Sequence, residues 1–142
     1  MADTLYSAAI LRLKLAGEGA HRLAAPTASA ARVSPVCGSK IIADVTVTAG
    51  RISDVALDAS RACTLGQASA AVVAQFAPGL DAAALAATRA GLADFLGSRA
   101  ETAPEGWAMF APARPHRARH PSILLPLDAV LAALADAGQA AA

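Results

Sequence analysis

Charge, aromatic side chains and cysteine are all scarce in this 142-residue chain. Charged residues make up 16%, and 12 Lys+Arg nearly balance 11 Asp+Glu, leaving a net charge of +1. A general nucleic-acid binder is usually far more basic, so no nucleic-acid partner is expected. Two cysteines, Cys37 and Cys63, are too few for a disulfide framework. No uninterrupted apolar run reaches the ~18 residues that a membrane helix needs, so no membrane span is expected. Asp3 precedes any cation, and Arg12 and Lys14 interrupt the first apolar stretch, so the amino terminus does not read as a signal peptide. These readings together predict a cytoplasmic protein.

What is abundant is apolar. Hydrophobic residues reach 56% and the mean hydropathy is +0.46, which excludes a disordered chain. Alanine fills roughly two positions in seven and buries little area. The core must therefore be built from Leu, Ile and Val with the three Phe. The length predicts one domain, 1–137, with 138–142 as a flexible tail.

The hydrophobic period changes along the chain. Thr4 to Leu15 reads as a helix capped by Thr4, ended by Gly17 and Gly19, with Leu5, Ile10, Leu11 and Leu13 as its apolar stripe. Ala20 to Ala31 reads as loop or edge strand, and Ala31 to Val36 could add a strand. From Ser39 the period is two: Ile41, Ala43, Val45 and Val47 alternate with Ile42, Asp44, Thr46 and Thr48. Ala49-Gly50-Arg51 is a turn, and Ile52 to Leu57 returns as the second arm of a hairpin. Asp44, Asp54 and Asp58 are expected on its solvent face. Helical period then covers Thr64 to Phe76, Asp81 to Leu96 (capped by Asp81) and Ser122 to Ala137. Between the last two, Trp107 and Phe110 are expected to anchor an irregular stretch to the core. The predicted class is α+β: about three antiparallel strands with helices packed on one face.

The chemistry falls at two junctions. Ser34-Pro35-Val36-Cys37-Gly38-Ser39 precedes the first clear strand, and Arg61-Ala62-Cys63-Thr64-Leu65-Gly66-Gln67-Ala68-Ser69 opens a helix. A sulfur just ahead of a helix faces unpaired N–H groups at the positive end of the dipole, a setting that suits nucleophilic or metal-binding chemistry. Thr64, Gln67 and Ser69 are expected to keep this helix start polar. Gly38 would let a backbone or ligand approach beside Cys37. The 26-residue spacing of the cysteines matches no zinc knuckle, and free cysteines are often small buried hydrophobes. There is no phosphate-binding glycine loop, no His-Glu-x-x-His helix and no nucleophile elbow.

The run Pro35-Val36-Cys37-Gly38, a hairpin, then Ala62-Cys63-Thr64-Leu65-Gly66-Gln67-Ala68-Ser69 resembles the iron–sulfur cluster assembly scaffold family of IscU, SufU and the N-terminal domain of NifU. Leu5-Tyr6 to Leu23 is similar to the family's opening helix and connection, and Ser122 to Val130 to its last helix. The resemblance implies a site of three cysteines and an aspartate that holds zinc or a nascent cluster. In that register Cys37 and Cys63 are ligands, Ser39 stands at the aspartate and Ser122 at the third cysteine. Serine is a poor ligand for soft metals because its hydroxyl stays protonated near neutral pH. The family's Leu-Pro-Pro-Val-Lys chaperone motif is replaced by Arg114-Pro115-His116-Arg117-Ala118-Arg119-His120.

His120 is a candidate replacement metal ligand beside Cys37 and Cys63, since mixed Cys/His sites suit zinc and occur in iron–sulfur ligation. The resemblance implies a [2Fe–2S] cluster or zinc as cargo, with a cysteine desulfurase and apo-protein acceptors as partners. The chain could act as a monomer, or as a homodimer pooling four thiolates around one cluster. Two alternatives stand beside this non-enzymatic reading. One is a diverged interaction or regulatory module, and the other a thiol enzyme with Cys63 as nucleophile and His116 or His120 as base.

Overall fold

In the computed structural model the described residues are 5–17, 21–36 and 38–141. Thr4, Gly19 and Cys37, all singled out above, lie outside them.

A two-residue turn sets the sheet. Ala49 and Gly50 both take positive φ, 54° and 78°, the twist that closes a tight hairpin. It joins β2 (Lys40–Thr48) to β3 (Arg51–Arg61). β1 (Ala28–Val33) pairs antiparallel with β2, giving a three-stranded sheet in the order β1-β2-β3. The first strand thus spans the boundary between the two segments that the sequence left ambiguous. Twice the β2–β3 register slips by one residue, with the extra residue on β3 each time, and one slip falls at Ala59–Ser60. Such a bulge bends its strand and frees a backbone N–H. Here Asp58 accepts from Ser60 N at 3.0 Å and from Ser60 Oγ at 2.6 Å, satisfying it.

β2 is the central strand, and that explains the one hairpin carboxylate whose predicted placement fails. Ile41, Ala43 and Val45 are fully buried toward the helices as their alternation predicts. Asp44 was expected on the solvent face but is also fully buried. The connection at residues 21–23 crosses over it. Arg22 donates Nε to Asp44 Oδ2 at 2.6 Å and Nη2 to Oδ1 at 3.0 Å, Leu23 N donates at 3.0 Å, and Ser29 Oγ donates as well. Burial pushes the Asp44 carboxyl up, but Arg22, Ser29 and the Leu23 N–H outweigh it and hold the group below the ordinary carboxylate value. Asp54 is exposed as expected, whereas Asp58 is half-buried at the bulge.

The helices follow from their caps. α1 (Ala8–Ala16) starts later than its apolar pattern because Ser7 is the cap, accepting from Ile10 N at 3.3 Å. Of its predicted stripe only Ile10 is buried, Leu5 and Leu13 are half-buried and Leu11 is exposed. α2 (Thr64–Phe76) has Cys63 at its N-cap. α3 (Ala82–Leu96) is capped by Asp81, which accepts from Ala84 N at 2.8 Å. α4 (His120–Ala141) begins two residues earlier than expected and continues through 138–141. Residues 117–138 are apolar and long enough to cross a membrane, but 67% of the 18-residue apolar window within them is buried inside this fold, as in a core helix. Ile123, Leu127 and Val130 of α4 meet Leu65 and Val72 of α2, Leu85, Leu92 and Leu96 of α3, and the inner face of the sheet in one core.

The stretch between α3 and α4 is tied inward at several points. Trp107 and Phe110 are each 1% exposed, as expected of anchors. Gly106 makes this possible. Its φ is +98°, and a Cβ there would lie 2.6 Å from Phe76 and 2.8 Å from Val72. Arg114, from the basic run, is likewise a tie. It donates to the Phe95 carbonyl at 2.8 Å and the Ala100 carbonyl at 2.9 Å, and its guanidinium lies 4.6 Å from the centre of the Phe95 ring.

Candidate cysteine site

Of the four positions that the resemblance marks as ligands, Cys63 and Ser39 are in direct contact, and the backbone of Ser122 reaches the same first turn of α2. Cys63 sits where β3, bent by its bulge, turns into α2. Its backbone N–H donates to Ser39 Oγ at 3.1 Å. Its side chain makes no helix-capping bond and is half-buried. Ser39, 4% exposed, closes the loop that carries Cys37 in sequence. Ser34 N donates to the Ser39 carbonyl and Gly38 N to the Ser34 carbonyl, both at 2.8 Å, and Val36 N donates to Ser34 Oγ at 3.3 Å. Gly38 has φ +75°, and no described atom lies within 4 Å of where its Cβ would be. It supplies a left-handed turn with open space beside it.

Ser122 enters from α4. Pro126 cannot supply the N–H that would close a helical bond to the Ser122 carbonyl. That carbonyl instead lies over Gly66, 3.4 Å from the position of a Cβ there, and Cys63 Sγ is 3.9 Å from the same point. Gly66 is thus the contact that lets α4 start beside Cys63. Ser122 is 2% exposed.

A buried hydrogen-bond chain fixes this junction. Trp107 Nε1 donates to Ser69 Oγ at 3.3 Å, and Ser69 Oγ donates to the Ile123 carbonyl at 2.6 Å. Ser69 was expected to keep the helix start polar. It is fully buried, and it ties the residue after Ser122 to the middle of α2. The signal was available: Ser69 lies four residues after Leu65, on the apolar face of α2. Gln67 Nε2 donates to the Ala62 carbonyl at 3.0 Å, stiffening the turn before Cys63.

The donor set that the resemblance implies is half soft and half hard. Among the described residues no three His, Cys, Asp or Glu side chains converge on a point that could hold a metal ion. Cys37 adds a second thiol to the Cys63, Ser39 and Ser122 group in sequence but lies outside those residues. His120 uses Nε2 in a 2.8 Å bond with the Ala113 carbonyl, which ties the preceding loop to the start of α4. His116 is exposed on that loop.

A small antiparallel sheet backed by helices, with a thiol at a strand-to-helix junction beside the start of the last helix, defines a class shared with solved structures. Over 95% of both chains it is similar to the N-terminal domain of a nitrogen-fixing NifU-like protein from Brucella abortus, with 33% identity and a TM-score of 0.87. A protein described as a candidate iron–sulfur cluster assembly scaffold for the SUF system, from Fervidobacterium islandicum AW-1, shares the fold. Its identity is 16% and its TM-score 0.79, over 92% of this chain and 96% of that one. A hypothetical protein solved at 2.3 Å also shares the fold, with 17% identity and a TM-score of 0.73, over 92% of this chain and 97% of that one. No family profile matches the chain, and no curated protein sequence does. At this identity and coverage the chain belongs to the IscU/SufU/NifU N-terminal-domain family.

Proposed function

We propose that this protein is a scaffold-type carrier in iron–sulfur cluster assembly, a binding protein rather than an enzyme. It works in the cytoplasm and holds sulfur, iron, zinc or a labile cluster at Cys37 and Cys63 for transfer to apo-proteins. The observation that supports this reading is the family fold, with Cys63 bonded through its N–H to Ser39 and the start of α4 at Ser122 packed on the same turn of α2. The persulfide of a cysteine desulfurase would transfer its outer sulfur to the Cys37 thiolate. The donor's S–S bond breaks, a new one forms on Cys37, and the donor cysteine leaves as thiolate. Two thiols supply half of the four ligands that a [2Fe–2S] cluster needs, so a complete cluster takes its remaining ligands from another molecule.

Anaerobic reconstitution with iron and sulfide tests this. Wild type should develop visible charge-transfer bands, and Cys37→Ser with Cys63→Ser should abolish them. A Ser39→Asp, Ser122→Cys variant restores the ligand types that the family resemblance implies, and a carboxylate at 39 can still accept the Cys63 N–H. It should load more metal per chain and hold it longer against a chelator. Absence of bands in wild type at every stoichiometry would remove the carrier reading.

One observation favours a second reading, a diverged interaction module that holds no cluster. The Ser39 hydroxyl is already engaged by the Cys63 N–H. In that case the double cysteine variant would keep all partner binding.

A further inference from the structure

We infer that the rim around Cys63 is a docking surface for a protein partner that presents acidic side chains around an apolar centre. This rests on the carrier reading only for which face the partner must reach.

Cations collect at this end of the molecule. Lys40 and Arg61 are cross-strand partners, one directly after Ser39 and the other two residues before Cys63. Arg117 and Arg119 lie on the 3-10 turn Arg117–Arg119 that leads into α4, whose Ser122 touches the first turn of α2. Arg61, Arg117 and Arg119 are exposed and Lys40 is half-buried. Among the described residues no carboxylate forms an ion pair with any of the four. Asp58, within electrostatic range of Arg61, is instead bonded to Ser60. Exposed or half-exposed carboxylates gather at the other pole. Asp54 and Asp81 flank the point where Ile52 N–H meets the Leu80 carbonyl, and Glu105 lines a cavity with Leu80. A net charge of +1 thus conceals a molecule that is cationic around its thiol and anionic at the far end.

The centre of the cationic rim is apolar. Val33 and Val36 are 56% and 61% exposed, flanking Pro35, and Val33 is paired with Lys40 across the sheet. Beside them runs a groove of about 580 Å³ between the end of β1 and α4, lined by Arg32, Val33, Pro121 and Leu124, whose one carboxylate, Asp128, is paired with Arg89. Exposed valines beside Arg32 and Lys40 have the make-up of a protein interface, apolar contacts with charge alongside. A nucleic-acid site would ask for stacking aromatics, and Trp107 and Phe110 are buried. A second copy is also a poor occupant. A two-fold contact would set each cationic rim against its twin, which repels. The ligands missing from this site would then come from an acidic acceptor rather than from another copy.

The test uses metal-free full-length protein in reductant and a fluorescein-labelled synthetic peptide of alternating glutamate and leucine. Binding is read by anisotropy at low and at physiological salt. Wild type should bind, and binding should weaken as salt shortens the screening length to about 8 Å. Arg117→Glu with Arg119→Glu, and separately Lys40→Glu with Arg61→Glu, should each lower affinity about tenfold. Neutral Gln variants at the same positions should lower it less, and Arg51→Glu at the opposite pole should leave it unchanged. Circular dichroism checks that each variant is folded. Equal binding by the reversed variants would overturn the inference. So would tighter binding of a single-stranded oligonucleotide, or a wild-type dimer at low salt that these reversals abolish. Cargo loading is measured separately by reconstitution. Loading without peptide binding removes this inference alone, and peptide binding without loading removes the carrier reading alone.

Discussion

Single residues decide what kind of site this is. Ser39 and Ser122 stand at the positions that the family pattern marks as ligands, and both are buried. The change is one of chemistry more than of shape, since a hydroxyl and a thiol are close in size but differ in softness. Asp44 shows the opposite case, a charged group kept inside by full pairing. Asp44→Asn removes the charge and one of the two oxygens that accept from Arg22, Ser29 and the Leu23 N–H, so it should cost about 2 kcal/mol at neutral pH. The folded carboxyl lies below its ordinary 3.8, so its contribution is complete above that value and is lost as pH falls through the lower folded one. Urea midpoints of wild type and Asp44→Asn should therefore stay separated from pH 7 to about 4 and converge below it. A gap that stays constant down to pH 2, or one that opens only in acid, would show that Asp44 is not held as its geometry indicates.

Elements were legible wherever pattern and punctuation agreed. α2 and α3 carry apolar period and clear end signals, and their bounds match the sequence reading. The hairpin turn followed from Ala49-Gly50. Less was visible where long-range partners decide. Alternation alone put Asp44 outside, because nothing local says that residues 21–23 return over the central strand. The apolar run Ile41-Ile42-Ala43 with Val45 hinted at a strand covered on both faces. The bulge that turns β3 toward Cys63 left no local mark, and neither did the chain from Trp107 through Ser69 to Ile123. The family resemblance supplied the candidate site, and hydrogen bonds between distant elements show how its described residues are held. Gly106 carries the prediction at this scale. Gly106→Ala needs a strained φ and drives a methyl into Phe76 and Val72, so stability should fall by about 2–3 kcal/mol. Near-ultraviolet dichroism from Trp107 should report the loosened anchor. An unchanged melting temperature would show that this loop does not hold the core.

At the scale of the whole molecule, fold and charge point the same way. The sheet, the bulge and the start of α4 bring distant stretches of chain to one rim, where, among the described residues, Lys40 and Arg61 form no ion pair and Val33 and Val36 are exposed. A carrier needs such a face, because cargo held by few ligands must be reached by the partner that takes it. The most direct test is the iron, zinc and acid-labile sulfide content of protein purified without oxygen, measured beside the Cys37→Ser, Cys63→Ser variant. Wild type should retain metal or sulfide in substoichiometric but reproducible amounts, and the variant should retain none. Equal content in the two proteins, or none in either even after anaerobic loading, would contradict the account.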